Sequence, residues 1–210
     1  MRLEEQLSTK NLAILQSLQT PLQIQAFLDS IPYSAEDANR SSLRVLEDRQ
    51  AHCLDGGLFA AACLSRLGYP AVIIDMLPVP GRDDDHVLAI FQQNNHLGAI
   101  AKSNYVGLRY REPVYRNTRE LVMSYFEAFF NSFGEKTLRG YTRPIRLSRF
   151  DHLNWELEDQ AVDLIEEYLK NLKYTHILTP EMEAGLSKVD QRFYDGMTVG
   201  TDPDGVYKIG

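Results

Sequence analysis

The sequence predicts an α+β fold, and three observations carry the prediction. Residues 51–67 place Leu54, Leu58, Ala61, Ala62, Leu64 and Leu67 over much of a helix surface, and Gly68 with Pro70 stops it. Residues 71–76 (AVIIDM) follow as a short β-branched run that reads as a buried strand. Residues 86–92 and 97–102 are two further apolar runs joined by Gln93-Asn94-Asn95, the pattern of a hairpin. Helix, strand and hairpin in that order make an α+β pattern and lack the repeated βαβ of a doubly wound sheet.

The remaining elements follow in chain order. Leu3, Leu7, Leu12, Ile14, Leu15 and Leu18 recur at helical spacing over residues 3–18. Thr20 then caps a second helix with Pro21 at its first position, carrying Ile24, Phe27 and Leu28 inward. Residues 37–49 read as a third helix with Leu43, Val45 and Leu46 on its inner face. Pro78, Pro80, Gly81 and the run Asp83-Asp84-Asp85 make a loop before the hairpin. Residues 103–116 (SNYVGLRYREPVYR) have no period and are expected as a surface loop. Thr118 caps a helix running to about Ser132, stopped by Gly134; residues 135–150 look extended and basic. Residues 156–172 form an amphipathic helix, and Pro180 starts a last one that ends before Gly196. With no repeat and no linker, the reading is a single domain over 1–210, with a core at about 45–106, helical additions at 1–44 and 117–195, and a tail at 196–210.

Composition narrows the function classes. The 210 residues carry 22 Lys and Arg against 29 Asp and Glu, a net charge of −7, which disfavours nucleic-acid binding. A hydrophobic content of 44% with 24% charge excludes a disordered chain. No apolar run approaches the roughly 20 residues of a membrane span, and Met-Arg-Leu-Glu-Glu-Gln is acidic where a signal peptide is basic. Cys53 and Cys63 on one helix stand about 15 Å apart, too far to bridge, so a cytoplasmic location is expected. No cofactor is expected, and no metal, because the consecutive residues Asp83, Asp84, Asp85 and His86 rarely converge on one ion.

Cys53 is the first chemical candidate. It opens the helix after His52, where unpaired N–H groups and the dipole favour a thiolate and can hold an oxyanion; Asp55 opposes this. The bland alternative is a buried, inert cysteine, which is the expectation for Cys63 among alanines and leucines. Gly56 and Gly57 cost about 1 kcal/mol each inside a helix, and their use is to admit another backbone, such as the His86 strand. His86 leads that strand and could face the helix start as a base, or stand on the surface beside the aspartates. Asn104, or Ser103 as a weaker alternative, lies at the return end of the hairpin, placed to orient an imidazole or simply to finish a strand. Asp85 and its acidic neighbours could receive a basic or amine substrate, or be a solvated loop. Arg109 and Tyr110 belong to a Tyr/Arg strip suited to an acidic partner, or to a satisfied structural network.

The order of these pieces resembles the transglutaminase-like superfamily, which shares a Cys-His-Asp core with papain-like thiol enzymes. The matching residues are His52-Cys53-Leu54-Asp55, the turn Leu67-Gly68-Tyr69-Pro70-Ala71-Val72, and Asp85-His86-Val87, over about residues 45–106. The stretches AHCLDGGLFAAACL, DDDHVLAIF, GAIAKSNYVGLRYREPVYRN and LVMSYFEAFFN look like a bacterial transglutaminase-like branch with little assigned function, across most of the chain. The resemblance implies a catalytic-type helix packed on a small antiparallel sheet. It also implies a cysteine-dependent acyl transfer with Cys53 as nucleophile, His86 as base and Asn104 as orienter, acting on a peptide or a small amide or amine. The chain departs from the superfamily in having Lys102-Ser103-Asn104 in place of the usual Asp, and Val87-Leu88 and Leu97 where aromatics are frequent. The alternative is a catalytically weak or inactive binding module of the same fold that uses the Tyr/Arg surface. A homo-oligomer is allowed but not required by the C-terminal helices.

Overall fold

A computed structural model describes residues 3–36 and 38–208 of the chain. After a 3-10 turn at Leu3–Glu5, helix α1 spans Thr9–Ser17 with the Ser8 hydroxyl accepting from the Asn11 N–H. The one helix expected over residues 3–18 is therefore broken at Ser8, whose side chain competes for the backbone as a cap. Helix α2 (Pro21–Ser30) starts as read, with Thr20 accepting from the Gln23 N–H. Helix α3 (Ser42–Asp48) is shorter than the 37–49 expected, because Ser41 caps it, and Arg49 ends it at φ 58°. Asp37, where that helix was expected to begin, lies outside the described residues.

Helix α4 (Cys53–Arg66) is capped by His52, and Gly68 follows its last turn at φ 88°. Its middle is buried all round, from Cys53 to Leu64. Among the described residues seven strands form one antiparallel sheet: β1 (Val72–Pro78), β2 (His86–Gln93), β3 (His96–Ile100), β4 (Arg111–Tyr115), β5 (Leu138–Thr142), β6 (Ile145–Arg146) and β7 (Tyr174–His176). The order across the sheet is β4-β3-β2-β1-β5-β7, with β6 paired to β1 beside β5. Asn94 and Asn95 turn the β2–β3 hairpin at φ 48° and 62°, the left-handed pair that a two-residue hairpin loop needs. β4 lies in the segment read as a loop, and β7 has no counterpart among the expected strands.

Strand alternation divides the core into two layers. The register pairs Ile73 with Ala89, Asp75 with Val87, Ile74 with Leu88 and Met76 with His86. Ile73, Val87, Ala89 and Phe91 pack with α2, α3, α4 and α6 (Asp159–Lys170). Ile74, Met76, Leu88 and Ile90 pack on the other face, against Leu108, α5 (Thr118–Met123) and Phe129. Asp75 consequently stands on the α4 side of the sheet, and His86 on the far side.

The other differences are local. Helix α5 starts one residue earlier in its cap than expected, at Asn117, and stops at Met123 rather than near Ser132. There the Ser124 hydroxyl donates to the Leu121 carbonyl and accepts from Arg111, and the chain continues as a 3-10 turn at Phe126–Ala128. The last expected helix is two, α7 (Pro180–Ala184) and α8 (Gln191–Met197), because Asp190 caps a new start. Among the described residues no helix is long and apolar enough to cross a membrane.

Candidate binding site at the start of helix α4

The site begins with how α4 is started. The His52 Nδ1 accepts from the Leu54 N–H at 3.2 Å, and Asp55, three residues on, accepts from the His52 N–H at 3.3 Å. This is a capping box with histidine in the place of serine. His52 Nε2 stands 3.3 Å from Asp55 Oδ1, so both ring nitrogens are engaged and neither is left to take a proton from Cys53. Burial first, and then Arg40, pushes the His52 pKa down to about 4. Asp55 is fully buried and also accepts from the Arg40 N–H at 2.7 Å, with the Arg40 guanidinium 4.0 Å away. Burial outweighs these donors and raises its pKa to about 7.

Two glycines then let α4 settle on the sheet. A Cβ on Gly57 would lie 2.8 Å from Val87 Cγ1, and one on Gly56 would overlap the Lys102 Cβ. The close approach to the His86 strand expected for this pair is what the structure has. Lys102 itself donates its buried ammonium to the carbonyls of Leu28 at 2.8 Å and Ile31 at 2.5 Å, closing the C-terminal end of α2.

Cys53 is 7% exposed, and its thiol donates to the Asp85 carbonyl at 3.8 Å. It lies at the wall of a cavity of about 750 Å³ with Tyr33, His52, Asp84, Asp85, Glu166 and Lys170. The helix start does not activate this thiol. Burial, and then Asp85, Asp84 and Asp75, push its pKa well above the usual range, and the Val87 N–H opposes them only in part. Cys63 is fully buried inside the core, as expected, and burial raises its thiol too; both cysteines are free.

The carboxyls around Cys53 define the electrostatics. Asp75 is 1% exposed and its Oδ1 has no hydrogen-bond partner. Burial, and then Asp85 and Asp84, hold its pKa well above the carboxylate range. Half-buried Asp85 is raised to about 7 by burial, Asp84 and Glu166, with Lys170 opposing. That lysine is already spoken for, at 2.7 Å from Glu166. The phenol of Tyr33 is raised as well, by burial and then by Cys53, Asp84 and Asp85. Among the described residues no group of three or more His, Cys, Asp or Glu side chains is arranged to hold a metal.

The structure separates the other residues expected at this site. His86 turns away: its Nε2 is 2.7 Å from the Leu108 carbonyl, which can only accept, so Nε2 carries the proton. Burial drives its pKa down to about 4, with Arg111 in the same direction. The reason is the register above, which sends residues 85 and 87 toward α4 and residue 86 through the sheet. Asn104 does not orient an imidazole. Its Nδ2 donates to the Asp202 carbonyl and its Oδ1 accepts from the Asp202 N–H, both at 2.8 Å. The Ser103 hydroxyl accepts from the Tyr105 N–H.

The Tyr/Arg strip is a structural network. Arg111 lies 3.8 Å above the Tyr125 ring and donates to Ser124, Tyr110 and Gly107. Arg109 pairs with Asp29 at 3.3 Å, and Tyr110 stacks on Phe91. Neither lines the Cys53 cavity. Sequence reasoning passed over Asp75, although an acid inside a β-branched run (VIIDM) is a readable signal, and over Tyr33 and Glu166, which arrive from distant helical segments.

The unpartnered Asp75 Oδ1 gives a direct test, although the His86 N–H still serves the carboxyl. Asp75→Asn should stabilise the protein by about 1–3 kcal/mol at pH 8, the scale of a buried polar group without a partner. Its folded pKa is raised above the unfolded one, so its contribution is favourable below about pH 4 and is lost as pH rises. Urea unfolding should therefore show the gain at pH 8 and none at pH 4. A variant less stable than wild type at pH 8 would show that Asp75 has a partner in solution.

No protein-family model matches the sequence, and no curated protein matches it. Among solved structures, the chain is similar to Legionella pneumophila LapG, with a TM-score of 0.37 and 14% identity over 48% of this chain and 68% of that one. It is similar to the EGTA-treated form of the same protein at a TM-score of 0.36, 14% identity, and coverage of 48% and 66%. Values this low assign neither a family nor a role to any residue here.

Proposed function

We propose that the cavity at Cys53 receives a cationic group, an amine or a guanidinium carried by a small molecule or a peptide. In this reading the chain is a binding module built on a transglutaminase-like helix-on-sheet core. The observation that carries it is the pair Asp84 and Asp85 on the cavity wall, with Asp75 buried near them and its Oδ1 unpartnered, while Lys170, one of the cavity's two lysines, is committed to Glu166. A half-buried carboxyl beside other carboxyls is costly to ionise, and a cation entering the cavity next to Asp85 stabilises its charged form. The Tyr/Arg strip plays no part in this reading, since its guanidinium groups are already satisfied.

Binding of such a cation lowers the Asp85 pKa, so protons must leave as the ligand enters. Titration with agmatine at pH 6.5 in buffers of different ionisation enthalpy should show proton release, with affinity at least ten-fold weaker in Asp85→Asn. Absence of binding by agmatine, spermidine and lysine amide at millimolar concentration would sink the proposal.

A second reading, cysteine-dependent acyl transfer, is favoured by one specific feature. Besides burial, the groups that hold the Cys53 thiol protonated are these same carboxyls. An amine substrate that neutralises them would release the thiol toward its reactive form. Iodoacetamide labelling of Cys53 that rises in the presence of agmatine, with Cys63 unchanged, would support this chemistry.

A further inference from the structure

The Cys53 cavity is lined on one side by residues far from it in sequence: Asp204, Gly205, Val206, Tyr207 and Lys208. This stretch is held in place by identifiable contacts. Asn104 grips the Asp202 backbone with two hydrogen bonds of 2.8 Å, and the Thr201 hydroxyl donates to the Asn104 carbonyl at 3.2 Å. A 3-10 turn at Pro203–Gly205, capped by the Asp202 side chain, then bends the chain over the cavity. Gly205 rests on the Tyr33 ring so closely that a Cβ there would be 2.8 Å from Tyr33 Cδ1 and 3.0 Å from Asn104 Nδ2. Tyr33 shares the cavity wall with Cys53, Asp84 and Asp85. Apart from these contacts the stretch is mostly exposed and adds no residue to either buried layer.

The geometry points to residues 201–208 as a strap that closes the Cys53 cavity and must lift for a ligand to enter. The inference rests on the cavity being the working site. The strap is a gate with a hinge at the Asn104–Asp202 pair and a latch at the Gly205–Tyr33 contact. Asn104, expected from the sequence beside a catalytic histidine, thereby regulates access from outside the cavity. The latch explains why glycine stands at position 205, where its φ does not call for it.

Two full-length variants test the gate from opposite ends. Gly205→Val pushes the latch off Tyr33, and Asn104→Ala removes both hinge hydrogen bonds. Each is treated with neutral methyl methanethiosulfonate and with its cationic trimethylammonium-ethyl analogue, and modification of Cys53 and Cys63 is followed separately by peptide mass spectrometry. Cys53 should react at least ten-fold faster in both variants with both reagents, while Cys63 stays at its wild-type rate. Cys53 rates within two-fold of wild type, or a parallel rise at Cys63 that marks general opening, would overturn the strap. The acidic cavity is read out independently: the ratio of cationic to neutral rates, relative to free cysteine, should exceed one. A ratio of one would discard the cation-binding reading and leave the strap result standing.

Discussion

Asp55→Ala should cost about 3 kcal/mol, the low end for breaking a buried ion pair by removal of one partner. The carboxyl is fully buried and joins three pieces of chain: the Arg40 N–H, the His52 N–H and the Arg40 guanidinium. Its loss strips the α4 capping box, worth about 1 kcal/mol, and takes one of three carboxylates from the Arg40 side chain, 7% exposed, which keeps Asp48, Glu36, the Ser34 hydroxyl and the Ala38 carbonyl. The folded pKa of Asp55, about 7, lies above its unfolded value, so the native state takes up a proton between about pH 4 and 7. That contribution is full below pH 4 and lost as pH rises through 7. The Ala variant lacks it, so the deficit read from urea unfolding should be larger at pH 5 than at pH 8. An equal deficit at both pH values would mean that Asp55 keeps an ordinary pKa in the fold.

Gly56→Val should cost about 3 kcal/mol, at the upper end of overpacking in a tight core. The added Cβ would overlap the Lys102 Cβ, with the Lys102 Cα at 3.4 Å behind it. Lys102 cannot swing aside, because its ammonium is tied to the C-terminal end of α2 and its Cβ moves only with the backbone. The helix must lift from the sheet, and with it the wall that carries Cys53. Gly196→Ala in α8 is the control: nothing lies within 4 Å of that Cβ, and helix propensity predicts a gain of up to about 1 kcal/mol. Thermal unfolding of the two should shift in opposite directions. A Gly56→Val protein as stable as wild type would show that α4 does not approach the sheet this closely.

The α4 helix, its stop at Gly68 and Pro70, strand β1 and the β2–β3 hairpin were legible in the sequence because local signals and tertiary packing agree there. Apolar periodicity, left-handed glycine and the paired asparagines all favour the same chain path. Strand β4 was not legible: Arg111, Glu112 and Pro113 are poor strand formers, and the strand exists because Leu97 and Ala99 of β3 present open partners. The site was half legible. Position marks Cys53, since a helix start is a sequence feature. The partner histidine depended on parity, and a single residue of register decides whether residue 85 or residue 86 faces the helix. Sequence spacing places His86 at the strand mouth but does not fix the side it faces. Asp75 and Tyr33 join Cys53 through long-range pairing, which leaves no local trace.

The sheet's two outer strands bear on how the protein behaves at high concentration. Among the described residues, β4 and β7 end the strand order, and the two-residue β6 is paired on one side alone, to β1. A free edge is a template for another chain, and intermolecular strand pairing is how sheets begin to aggregate. β4 carries Pro113 at its centre, which has no N–H to donate, together with Arg111 and Glu112. β7 is three residues long, exposed along its length and ends on His176. Both margins are thus poor templates, so copies of the chain that collide edge to edge find few hydrogen bonds to share.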